Sequence, residues 1–192
     1  MKQSATIMAA LVAYAAAEVP QEQSHKFILS AAQDLLQLNN VFEIQDAVFG
    51  LLGNAAAADG AGLVENLDCL HQITADEAFT NALALTDEEE RVNGLAMALL
   101  FRAVERNTGS VGLESVLCEE EAVNAEIAAL TQHQDPAAEG AAELNKEITL
   151  ALAVQLASVG ADPTLALLAG TFPPGEVSRL SPRLCSSCFA QC

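Results

Sequence analysis

Leu95-Ala96-Met97-Ala98-Leu99-Leu100-Phe101 is an unbroken apolar run in the middle of the chain. Asp87, Glu88, Glu89 and Glu90 precede it, and Arg102 and Arg106 follow it. Carboxylates suit the positive end of a helix macrodipole and guanidinium groups the negative end, so these charges orient one helix through the run. Thr86 and Glu89 have capping-box spacing at its head, and Gly109 is placed to close it in a left-handed conformation. Seven successive apolar residues cover every direction around a helical turn, which predicts burial on all sides. This helix is therefore read as the axis of the fold.

Working outward, other helices are expected on both sides. Upstream, Ser24 can cap a helix to about Leu38, with Phe27, Ile28, Ala31, Leu35 and Leu38 at helical spacing. Asn40 and Glu43 form a second capping box, followed by Val41, Ile44, Val48, Leu51 and Leu52 on one face. Residues 55–62 are a low-complexity link in which Gly60 and Gly62 stop what the alanines favour. A helix over residues 63–71 carries Cys69, and Thr74 with Glu77 is expected to start another, ending near Leu85.

Downstream, residues 110–118 read as a short helical or turn segment. Residues 119–134 read as a helix with Val123, Ile127 and Leu130 inward. Asp135-Pro136 has the N-cap and first-position pattern for a long helix to about Val159, with Leu144, Ile148, Leu152, Leu156 and Val159 on one side. Gly160 ends it, Asp162-Pro163 starts again, and Gly170 closes. No stretch alternates with the period of a strand. The class is all-α: a single-domain bundle of about six to eight helices over residues 24–170.

The ends differ in character. Lys2, the apolar residues 5–14 and the small residues Ala15 and Ala17 have the pattern of a secretory signal peptide, residues 1–17, cut after Ala17. Residues 18–23 are polar, contain Pro20, and are expected to be a mobile N-terminus. Residues 171–192 read as an irregular tail: Pro173-Pro174-Gly175 cannot continue a helix, and Cys185, Cys188 and Cys192 crowd its end. No later segment is long and apolar enough to span a bilayer. The expected location is extracellular.

A formal net charge of −18 disfavours nucleic acid and anionic membranes as partners. Another protein is left open as a partner. Five cysteines in a secreted chain point to disulfides with one thiol left over, and their connectivity stays open. Cys185-Ser186-Ser187-Cys188 with Cys192 lacks a nearby fourth ligand for a structural zinc site. His25, His71 and His133 do not form the two-histidine spacing of a zinc protease. His133, in Gln132-His133-Gln134-Asp135-Pro136, is expected to cap or hydrogen-bond at a helix joint. The acid clusters 87–90 and 119–121 each head a helix, and neither interleaves acids with a glycine turn as calcium loops do. No cofactor, metal or catalytic residue is assigned, and no enzyme activity is expected. A binding role would place a small apolar ligand among Leu95, Leu99, Arg102 and Arg106; the competing reading makes these residues core.

Residues 106–118 (beginning Arg106-Asn107-Thr108-Gly109-Ser110-Val111-Gly112-Leu113) carry a resemblance. The chain here resembles a family of small, Ala-rich secreted fungal proteins. The likeness continues through Glu126-Ile127-Ala128-Ala129-Leu130, residues 132–136, Asn145-Lys146, Ile148-Thr149-Leu150, Ala157-Ser158-Val159-Gly160 and Gly170-Thr171-Phe172, and upstream in Asp68-Cys69-Leu70 and residues 78–82. It covers about residues 67–175. The resemblance implies secretion and an all-helical domain, and no mechanism. Family members continue with an acidic segment holding two cysteines; here residues 176–179 lead into an unrelated ending. The segment from Val177 is accordingly expected to be a read-through intron or a wrong gene-model end. On that reading Cys69 and Cys118 are the two dependable cysteines, and their even number implies one disulfide. The function that follows is a secreted, non-catalytic fungal protein, cell-wall associated or an effector directed at a host; the alternative is an extracellular carrier of a small apolar ligand.

Overall fold

The computed structural model describes residues 19–172. Expectations for the signal segment 1–17 and for residues 173–192, including Cys185, Cys188, Cys192 and the ending from Val177, lie outside the described residues. The elements in order are α1 (Gln21–Ser24), α2 (Lys26–Leu36), α3 (Val48–Leu51), α4 (Asn54–Ala57), α5 (Leu70–Leu83), α6 (Glu88–Ala103), α7 (Ala125–Ala128) and α8 (Ala141–Ser158). Two 3₁₀ segments, Leu67–Cys69 and Pro163–Ala169, join them. The described residues contain no strand, and they form one helical domain.

The apolar run lies in α6, and Leu95, Ala96, Ala98, Leu99, Leu100 and Phe101 are all buried there; Met97 is partly covered. Asp87 caps the helix, its side chain accepting from the Glu90 N–H at 3.0 Å, with Glu88, Glu89 and Glu90 in the first turn. α5 lies along α6, α2 packs on both, and α8 closes another side together with the segment Pro163–Ala169. Gly94 makes the close crossing of α6 available. A Cβ there would meet the Ala82 Cβ at 3.0 Å and Leu35 Cδ2 at 3.2 Å. The inward side of α8 is Ile148, Leu152 and Leu156; Leu144, expected on the same side, is exposed.

Several boundaries differ from the sequence reading, each for a visible reason. Residues 40–47 are not helical: the Asn40 side chain clips a loop instead, donating to Ile44 O at 2.7 Å and accepting from Ile44 N at 3.0 Å. Only the single turn α3 forms from that stretch. Thr74 does not start a helix. It lies inside α5, fully buried, and its hydroxyl folds back on Leu70 O at 2.7 Å, so the capping partner it would offer is already taken. α6 stops at Ala103, before Gly109, because the chain turns extended at Val104. Residues 119–134 hold only the turn α7; Ile127 and Leu130 are buried as expected, whereas Val123 is 88% exposed. Of residues 18–23, expected to be a mobile N-terminus, Gln21, Glu22 and Gln23 lie in α1, which is tied to the loop after α6: Gln21 N donates to Asn107 Oδ1 at 3.0 Å, and Asn107 Nδ2 donates to Glu22 Oε2 at 2.7 Å. The α8 reading holds with a later start. Gly140, at φ 77°, precedes the helix, and Asp135 instead accepts from Ala137 N at 2.7 Å.

Candidate functional site

Cys69 and Cys118 are joined by a disulfide, with Cα atoms 4.5 Å apart. The bond fastens the irregular stretch after α6 to the start of α5. Cys69 is buried under the fold and Cys118 is half-exposed. Both cysteines in the described residues are therefore occupied, and neither is a free nucleophile.

A seam of amides continues from this bond into the core. Arg102 sits in the last turn of α6 and is only 2% exposed. Its Nη1 donates to Gln132 Oε1 at 2.9 Å and its Nη2 to Gln72 Oε1 at 3.1 Å. Each amide passes the connection on. Gln72 Nε2 donates to Glu120 O at 2.8 Å, and Gln132 Nε2 to Val116 O at 3.0 Å and Ser115 Oγ at 3.2 Å. Ser115 N donates to Gln134 Oε1 at 2.6 Å. Gln134 and Asn145 pair reciprocally, Gln134 N on Asn145 Oδ1 and Asn145 Nδ2 on Gln134 O, both at 2.8 Å. The seam thus runs from α5 through α6 and two passes of loop to α8. Buried polar groups are costly unless satisfied, and both Nη groups of Arg102 are satisfied by side chains that reach across the fold.

Asp76 holds the next part of the same loop. Its carboxylate accepts from Val123 N at 2.6 Å and from Asn124 N at 3.0 Å. Arg106 holds the other flank, donating to Asn54 Oδ1 at 2.9 Å and Leu52 O at 3.1 Å. Burial lowers both guanidinium groups, Arg102 to about 10, which still leaves it charged at neutral pH. Asp76 opposes the fall at Arg102 by its charge. Arg102 Nε and Arg106 Nε have no hydrogen-bond partner among the described residues.

These positions answer the expectation of a ligand among Leu95, Leu99, Arg102 and Arg106. Leu95 and Leu99 belong to the packed core, and Arg102 is the hub of the amide seam. Arg106 alone of the four lines a surface cleft, of about 220 Å³, shared with Gly53, Asn54, Asn107, Leu113 and Val116. A second cleft, of about 260 Å³, lies along α2 between Glu22 and Asp46. Neither is lined by Leu95, Leu99 or Arg102.

His133 bonds two parts of the fold, as expected for a helix joint: its Nδ1 lies 2.6 Å from Ala103 O and its Nε2 2.9 Å from Thr149 Oγ1. A carbonyl only accepts, so Nδ1 is the protonated nitrogen. An imidazole beside a hydroxyl has the outline of a base and nucleophile, but Thr149 also sits 2.8 Å from Asn145 O and neither cleft is lined by His133 or Thr149. No group of three or more His, Cys, Asp or Glu residues that could hold a metal occurs among the described residues. No described helix is long and apolar enough to cross a membrane.

The residues that organise this region were mostly silent in the sequence. Gln72, Gln132 and Gln134 match no motif. Their one signal is Gln132-His133-Gln134, three hydrogen-bonding side chains in a row between Leu130 and Pro136. No protein-family model, curated protein or solved structure matches the chain.

Proposed function

We propose that the chain is a secreted, non-catalytic domain of a fungus, cell-wall associated or directed at a host, whose working part is the loop over residues 104–124. One observation carries the reading. A long stretch without regular structure is held by a disulfide, by Arg102 through Gln72 and Gln132, and by Asp76, while it exposes Leu113, Val116, Leu117 and Val123. Long loops in small domains are uncommon unless they do something, and a rigid scaffold that presents one is the usual arrangement for recognition. The disulfide supports an oxidising compartment. The signal-like segment 1–17 and the resemblance to small Ala-rich fungal proteins support secretion and source. The partner is a wall component or a protein.

The test is expression of the full chain in a secreting fungal host. The expected result is chain in the medium or wall fraction, beginning at Glu18, with Cys69 and Cys118 linked. A photoreactive residue at Val116 is then expected to cross-link to a wall component or protein in that fraction, and one at Leu150 on α8 is not. Retention inside the cell with both thiols free defeats the compartment. Equal labelling from both positions defeats the role of the loop.

A second reading, a carrier of a small apolar ligand, is favoured only by the cleft where Leu113 and Val116 meet Arg106. At about 220 Å³ it is smaller than the roughly 300–1,000 Å³ usual for ligand sites. Native mass spectrometry of the secreted chain separates the two readings, since a carrier retains a bound mass.

A further inference from the structure

We infer that the partner of the 104–124 loop is a cationic amphipathic protein segment, one that sets apolar side chains between lysines or arginines. This partner class rests on the reading of that loop as the working part of the chain, and it narrows a wall component or a protein to one kind of protein surface.

The main chain of the loop is fixed from within. Ser115 N donates to Gln134 Oε1 at 2.6 Å, and Val123 N donates to Asp76 Oδ2 at 2.6 Å. Val116 O accepts from Gln132 Nε2 at 3.0 Å, and Glu120 O from Gln72 Nε2 at 2.8 Å. The disulfide fixes Cys118 between them. Main-chain groups are held inward while side chains of the same stretch stay in solvent: Leu113, Val116, Leu117 and Val123 are 41% to 88% exposed. Apolar groups held in water gain the free domain nothing, and they gain on burial against a partner. Grouped exposure of this kind marks interaction surfaces.

Carboxylates surround these side chains. Glu114, Glu119, Glu120 and Glu121 are exposed. Glu65 is exposed as well, next to Asn66, whose Nδ2 donates to Glu120 Oε1 at 2.7 Å. No lysine or arginine occurs from residue 107 to residue 145. The only basic residue lining the cleft with Leu113 and Val116 is Arg106. It is 2% exposed and donates to Asn54 Oδ1 at 2.9 Å and Leu52 O at 3.1 Å, so it presents no cation to a partner.

Apolar side chains amid charges of one sign select by complementarity. Burial supplies affinity, while the carboxylates steer in a basic partner and repel an acidic one. A basic segment without apolar groups leaves the leucines and valines wet; an apolar segment without cations leaves the carboxylates desolvated and unpaired. A neutral polysaccharide offers these carboxylates no counter-charge. Residues 104–124 also contain no aromatic ring on which a sugar face could stack.

The test is calorimetric titration of the full chain with three synthetic peptides of equal length and helical period, built from Lys and Leu, from Lys and Ser, and from Glu and Leu. The Lys–Leu peptide is expected to bind, and the other two to bind at least about tenfold more weakly. Changing Glu114, Glu119 and Glu121 together to Gln is expected to weaken the Lys–Leu peptide roughly tenfold. Changing Glu139, Glu143 and Glu147 to Gln removes the same charge from exposed positions in and just before α8, and is expected to matter less than about twofold. Val116→Ser with Leu117→Ser is expected to cost roughly tenfold with every charge in place. Changing Glu114, Glu119 and Glu121 to Lys is expected to transfer the preference to the Glu–Leu peptide, which a loss of structure would not do. No binding of the Lys–Leu peptide, equal binding of the Lys–Ser peptide, or equal losses from the two Gln variants would each overturn the inference. The cross-link from Val116 separates its failure from that of the loop itself. A neutral polysaccharide or an acidic protein captured there overturns the cationic class and leaves the loop as the working part, whereas equal labelling from Val116 and Leu150 removes both.

Discussion

Arg102 and Gln132 stand 30 positions apart in the chain and meet in the core, Nη1 to Oε1 at 2.9 Å, so a full positive charge is buried against an amide rather than a carboxylate. The amide does double duty, because its other end holds Val116 O and Ser115 Oγ. Replacing Gln132 with Leu removes the acceptor and the donor together. A hydrogen bond to a charged group contributes about 1.5–3 kcal/mol, and the charge left behind is buried, so Gln132→Leu is expected to lose about 3 kcal/mol in urea unfolding. The 104–124 loop should also gain hydrogen exchange ahead of α6. A loss below about 0.5 kcal/mol would show that the seam carries no stability.

Gly94 is expected to tolerate no larger residue. Alanine gains roughly 1 kcal/mol of helix propensity over glycine in a helix interior. Against that, its methyl meets Ala82 Cβ at 3.0 Å and Leu35 Cδ2 at 3.2 Å, and overpacking costs typically about 1–3 kcal/mol. The close approach should win, so Gly94→Ala is expected to lower stability by about 1 kcal/mol, and Gly94→Leu by more. Thermal unfolding of both variants checks the order.

α6 and α8 were legible because local signals and the global fold agree there. Asp87 and the acids after it, the apolar run and Arg102 mark α6, and Ile148, Leu152 and Leu156 mark α8. Asp162 with Pro163 marked the last segment, although it forms as 3₁₀ rather than α. The false starts at Asn40 and Thr74 share one cause. Both side chains can cap a helix, and both satisfy other backbone groups here, Asn40 in a loop and Thr74 one turn back in α5. The stretch 104–135 misled for a different reason. Its order comes from bonds to Gln72, Asp76, Arg102 and Asn145 that span 11 to 48 positions, so periodicity within the stretch carries little of the information. The Cys69–Cys118 bond, expected only as an implication of the resemblance, is present.

The Cys69–Cys118 bond closes a loop with a sequence separation of 49 that contains all of α5 and α6. Constraint of the unfolded chain by such a loop is worth roughly 4 kcal/mol in the loop-entropy account. The Cys69→Ala, Cys118→Ala double variant is expected to lose about that much, with the midpoint of urea unfolding shifted and the loop 104–124 losing protection first. An unchanged midpoint, or identical unfolding with and without reductant in the unmodified chain, would contradict it.

His71 should dominate the response of stability to acid. Burial holds its proton affinity well below the ordinary 6.5, and the nearby charges of Arg102 and Arg106 act in the same direction. Above pH 6.5 the ring is neutral in both the folded and the unfolded chain, so its contribution is fully present there. As the pH falls below that value the unfolded chain binds a proton that the fold refuses, and stability drops by about 1.4 kcal/mol per pH unit for this one residue. The loss continues until the depressed folded value is reached. His25 and His133 are lowered as well, each first by burial, but hydroxyl partners give their cations acceptors that His71 lacks. Glu77 works with the opposite sign, since burial raises its carboxyl, and it is too exposed to offset a buried imidazole. His71→Gln keeps a donor in reach of Phe101 O and removes the titration. It is expected to be about 1–2 kcal/mol less stable near neutral pH, because the edge-on contact with Phe101 is lost, yet to have a flatter profile below pH 6.5 by about one proton. Urea midpoints measured across that range decide the matter. Parallel profiles for the two chains would mean that the acid response arises elsewhere.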